Sequence, residues 1–122
     1  GTILAYGRMV HRAWVVTEEL RAEGLPLRVV NARFAAPLDR AAIRAAAADT
    51  PVIFTLEDHV LASGFGSAVL EVMSDEGLTT PVIRLGLPDR FIEHGRVSEL
   101  DADLGLDVPQ ITERIRKVCA AQ

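Results

Sequence analysis

The chain has 122 residues, the size of one domain, and 49% of them are hydrophobic, which suits a packed core and excludes a disordered chain. The net charge is -4 and unevenly spread: seven arginines face five acids in residues 1–50, and six basic residues face twelve acids in residues 51–122. No basic run interleaved with aromatics is present, which argues against nucleic acid as a partner. No apolar run approaches the ~20 residues that cross a bilayer, and no secretory signal opens the chain, so a cytoplasmic protein is expected. The single Cys119 excludes an intramolecular disulfide and suits a reducing compartment.

In chain order, Ile3 to Tyr6 reads as a short strand closed by Gly7. Val10, Ala13, Val16 and Leu20 then recur at helical steps, with Gly24 at the C-cap position and Pro26 just beyond. Trp14 on that helix is expected to be partly buried packing. Leu27 to Phe34 reads as a second strand. Asp39 is placed to cap an alanine-rich helix over 40–48, which Thr50-Pro51 ends. Val52 to Leu56 is apolar at nearly every position, as a strand covered on both faces requires. A helix follows Gly64-Phe65-Gly66 and runs to about Glu76, capped by Gly77. Pro81 to Leu85 is a fourth strand. Residues 86–95 read as irregular, with room for a fifth strand between 86 and 97, and Ser98 to Leu104 reads as a short helix. Asp107 and Gln110 have capping-box spacing before a helix carrying Ile111, Ile115 and Val118 on one face. Strands alternating with helices predict a single α/β domain over 1–122, a three-layer α/β/α sandwich with a mostly parallel sheet.

Three stretches invite a functional reading. Gly64 and Gly66 sit between strand and helix, where a dinucleotide-binding loop would lie. The third glycine of that fingerprint is replaced by Val69, however, and no acid closes the next strand. Glu57, Asp58 and His59 stand at the carboxyl end of a parallel strand, where α/β folds place their sites. A carboxylate beside an imidazole suits acid–base work, but equally a hydrogen-bonded cluster that fixes a turn. No third ligand lies nearby for a metal. Asp89, Arg90, Phe91, Ile92 and His94 set an apolar pair among charges, which suits an interface better than a reaction centre.

The run Val29-Val30-Asn31-Ala32-Arg33-Phe34, followed by Pro37-Leu38-Asp39, resembles the C-terminal domain of thiamine-diphosphate enzymes of the transketolase type. So do Thr55-Leu56-Glu57-Asp58-His59 and Ser63-Gly64-Phe65-Gly66-Ser67-Ala68-Val69, with Ser63 where the family more often has glycine. The segment Leu85-Gly86-Leu87-Pro88-Asp89-Arg90-Phe91-Ile92-Glu93-His94-Gly95 is similar to the 1-deoxy-D-xylulose-5-phosphate synthase branch of that family. The resemblance covers essentially the whole chain.

That resemblance implies a mixed five-stranded sheet with one antiparallel strand. It implies a homodimeric parent transferase that uses thiamine diphosphate and Mg²⁺. Such an enzyme condenses pyruvate with D-glyceraldehyde 3-phosphate, with loss of CO₂, for isoprenoid-precursor and thiamine biosynthesis. The cofactor and metal motifs of the family are missing from these residues, so the chain is expected to be an inactive fragment of the larger enzyme, with no catalytic, cofactor or metal residue of its own. Glu57, Asp58, His59, Gly64, Phe65, Gly66, Asp89, Arg90, Phe91, Ile92 and His94 are then expected to be structural or to contact the upstream domains or a second subunit. Two alternatives stay open: a regulatory module with an anion at the helix start after Gly66, and the C-terminal domain of a 2-oxoacid dehydrogenase E1 β subunit.

Overall fold

The structure is a computed structural model, and it describes residues 1–32, 39–60, 64–87 and 106–121. Strand β1 (Thr2–Ala5) is followed by helix α1 (Met9–Ala22), strand β2 (Arg28–Asn31), helix α2 (Arg40–Asp49) and strand β3 (Ile53–Val60). Helix α3 (Phe65–Asp75), strand β4 (Val82–Leu87) and helix α4 (Val108–Ala120) complete the described elements. The sheet order is β2-β1-β3-β4, and every pairing is parallel.

Two cores flank the sheet. On one face Ile3, Ala5, Phe54, Leu56 and Leu85 meet Met9, Ala13, Val16 and Leu20 of α1 and Ile111 and Ile115 of α4. On the other face Leu4 and Ile53 meet Ile43 and Ala46 of α2 and Phe65, Val69, Val72 and Met73 of α3. Alternation along each strand sends successive side chains to opposite layers, which is why the central strands are apolar at nearly every position. Each large side chain buried here contributes about 1.5–3 kcal/mol. Gly7, Gly24 and Gly77 take positive φ at the turns that leave β1, α1 and α3, a conformation other residues adopt only with strain.

The expected three-layer α/β sandwich is present. The sheet, however, has four parallel strands among the described residues, not the mixed five that family resemblance implied. The chain continues past β4 into residues 88–105, which lie outside the described residues. The fifth strand for which 86–97 left room, the helix expected over Ser98–Leu104 and the interface residues Asp89, Arg90, Phe91, Ile92 and His94 fall in or run into that segment.

Other boundaries shift for physical reasons. β3 does not stop at Leu56 but runs to Val60, because Val60 still pairs with Leu87 of β4. Helix α3 begins at Phe65 with Gly64 as its N-cap, which places Gly66 inside the first turn rather than before it. Trp14 is 49% exposed, not packed, since it lies one step off the Met9–Ala13–Val16–Leu20 stripe that faces the sheet.

Candidate functional site

Strands β1 and β3 are neighbours whose following helices cover opposite faces of the sheet: α1 joins the core of one face and α3 that of the other. In open parallel sheets such a switch point opens a crevice at the carboxyl ends of the strands. The Tyr6 ring, just past β1, stacks on Phe65 with centroids 5.7 Å apart and planes 19° apart.

The centre of the arrangement is Glu57, which is 0% exposed. Its Oε2 accepts a hydrogen bond from the Phe65 N–H, and its Oε1 accepts one from the Gly66 N–H at 3.0 Å. These amides open α3 and have no partner within the helix. A carboxylate with both oxygens on helix N-terminal amides gains from the positive end of the helix dipole as well as from the two bonds. That is how the fold keeps an acidic group in its interior, where no basic side chain among the described residues forms an ion pair with it.

Three more residues build the surroundings. Thr55 precedes Glu57 by two positions, so both side chains face α3, and its own Oγ1 is buried without a hydrogen-bond partner. Arg84 pairs with Thr55 across the sheet and donates from Nη1 to the Ser67 Oγ at 3.0 Å. Gly66 lies against both: a Cβ there would stand 2.6 Å from Thr55 Oγ1 and 3.1 Å from Arg84 Cγ. The helix therefore approaches the sheet closely only because position 66 lacks a side chain.

Of the residues singled out from sequence, Glu57, Gly64, Phe65 and Gly66 come together in this corner. The backbone of Asp58 and His59 continues β3 beside them. Thr55, Arg84, Ser67 and Tyr6 were missed. The available signal was polarity out of place: Arg84 interrupts the apolar run of β4, and Thr55 that of β3.

The arrangement also decides what the corner does not do. An anion at the start of α3 would meet amides already satisfied by Glu57, and would meet its negative charge. The anion-module alternative is therefore disfavoured on geometry. The same holds for a diphosphate group: the described residues do not fit one at this helix end. Among the described residues no group of three or more His, Cys, Asp or Glu side chains converges as a metal site. No helix among them is long and apolar enough to cross a membrane.

A helix capped from within and a parallel sheet covered on both faces define the domain's class. The chain belongs to the transketolase C-terminal domain family, whose model matches residues 2–111. It is 48% identical, over 95% of its own length, to 1-deoxy-D-xylulose-5-phosphate synthase 1 of Geobacter metallireducens, of which it covers 19%. It is 45% identical, over 98% of its length, to the 1-deoxy-D-xylulose-5-phosphate synthase of Heliobacterium modesticaldum, of which it covers 18%. Among solved structures it is similar to a chain described as "Split gene transketolase, inactive beta4 tetramer", with a TM-score of 0.84 and 34% identity over 95% of this chain and 37% of that one. The chain thus spans 18–19% of the length of these two synthases.

Proposed function

We propose that this domain is the C-terminal part of a 1-deoxy-D-xylulose-5-phosphate synthase, and that its own task is architectural. The observation that carries the reading is identity of 48% maintained across 95% of the chain to a synthase of that name. In this reading the parent is a cytoplasmic, homodimeric transferase. It joins pyruvate to D-glyceraldehyde 3-phosphate with release of CO₂. Thiamine diphosphate and Mg²⁺ supply the carbanion chemistry and are held by other domains of the polypeptide, because the start of α3 in this one is filled by Glu57. What this domain contributes is a rigid carboxyl edge. Glu57 ties β3 to α3 there, Gly66 lets the two approach, and β4 ends at the same edge.

A domain exchange tests this. Residues 1–122 replace the corresponding segment of the Geobacter metallireducens synthase, and product formation is measured. Turnover is expected from the chimera and none from residues 1–122 alone with thiamine diphosphate, Mg²⁺ and both substrates. An inactive chimera, or turnover by the isolated domain, would refute the reading.

A further inference from the structure

We propose that Glu57 is a positioning residue for the longer enzyme: it holds the bulged end of β3, with Asp58 and His59 on it, in one conformation, and this bulge is where the domain engages the upstream domains of the same polypeptide. The inference rests on the function proposed above and adds to it a residue and a point of contact.

Three observations converge. First, β3 outruns its neighbour. The last β1 rung pairs Ala5 with Leu56, and the Tyr6 N–H donates to the Leu56 carbonyl at 3.0 Å; β3 then continues to Val60. Second, the register with β4 slips in that extension. Leu56 pairs with Leu85 and Val60 with Leu87, so Glu57, Asp58 and His59 lie opposite Gly86 alone. Extra residues of this kind bend a strand and re-aim what it carries, and they recur beside functional sites.

Third, the cap of α3 comes from the bulge. Helices α2 and α4 are capped locally: Asp39 accepts from the Ala42 N–H and Asp107 from the Gln110 N–H, each at 3.0 Å. Gly64, the N-cap of α3, has no side chain, and Glu57 serves from β3 instead. A local aspartate would have ended the helix equally well. A cap taken from the bulge also locks the bulge, because Glu57 cannot leave its place without stranding two amides in the interior.

The occupant assigned is the remainder of the polypeptide, because the chain spans only 18–19% of the length of the related synthases.

The experiment uses the full-length chimera. Three variants are compared: Glu57→Gln, the pair Asp58→Ala/His59→Ala, and Asp107→Ala, which removes an equivalent helix cap elsewhere. Turnover, KM for pyruvate and hydrogen exchange at the Phe65 and Gly66 amides are read for each. Glu57→Gln turns one acceptor into a donor facing an N–H, so exchange at both amides should rise and turnover should fall at least tenfold. The Asp58→Ala/His59→Ala pair should lower turnover similarly while leaving those amides protected, a result that a purely structural role for Glu57 would not produce. Asp107→Ala should stay within twofold of the parent chimera. Unchanged turnover in the Asp58→Ala/His59→Ala variant would overturn the inference even if Glu57→Gln fails to fold. A cross-link from position 58 to a second copy instead of an upstream domain would overturn the assigned occupant. An inactive unmutated chimera is the separate result that overturns the function itself, and this inference with it.

Discussion

Helices α3 and α4 meet the same requirement, free amides at their first turn, in different ways. In α4 the group is Asp107, only partly buried and three residues from the amide it serves, with Pro109 in the first turn where a missing N–H costs nothing. In α3 it is Glu57, buried, on another element, eight and nine residues away from its donors. The first cap stabilises one helix end. The second fixes a helix, a strand and the turn between them as one unit. A carboxylate in water and a carboxylate in the interior make similar bonds, but only the interior one leaves unsatisfied groups behind when it is removed.

The largest effect that would break this contrast is expected from Glu57→Ala. It strands the Phe65 and Gly66 amides, and the loss should be about 3 kcal/mol or more in urea denaturation. A loss as small as that of an exposed cap would mean that the burial of Glu57 is unimportant. Next is Gly66→Ala, whose methyl meets Thr55 Oγ1 at 2.6 Å and Arg84 Cγ at 3.1 Å. It should cost about 1–3 kcal/mol as overpacking. Adding Thr55→Ala should recover part of that, since the obstructing atom and an unpartnered hydroxyl go together. A double-mutant cycle without coupling would show that the helix simply moves away.

Asp107→Ala sharpens the other side of the comparison, with an expected cost of about 1 kcal/mol. The smallest effect is expected from Arg116→Ala. Arg116 of α4 donates from Nε and Nη2 to Glu23, at the C-terminal end of α1, at 2.9 and 2.6 Å, on the surface. The hydrogen bond from Arg116 holds the Glu23 carboxyl below its usual range. Because the folded-state value is the lower one, this contribution is present above the unfolded carboxylate pKa and fades as pH falls through the folded value. Thermal unfolding of the parent and of Arg116→Ala should therefore converge in acid, and in high salt at neutral pH.

Much of the fold was legible in the residues because the signals are local. Asp39 and Asp107 stand immediately before their helices and cap an amide three residues on, and Gly24 and Gly77 end theirs where a left-handed residue is needed. The apolar run of β3 states that both its faces are covered. What misled was the change of polarity at Glu57, which reads as the end of a strand. β3 continues there because a buried helix terminus receives the carboxylate, and no pattern within β3 reveals that. The membership of Arg84, Ser67 and Tyr6 in the same corner was hidden for the same reason: their partners are brought close only by the crossing of separate elements.

The sequence by itself determined the order of the described elements, the caps of α2 and α4, the class of the sandwich and the family, since each depends on residues near one another or on a motif read in line. The tertiary structure decided that Glu57 is interior, that Gly66 touches Thr55 and Arg84, and that the end of β3 bulges. Those facts depend on how far apart two packed layers come to rest, a distance set by the whole core and written at no single position.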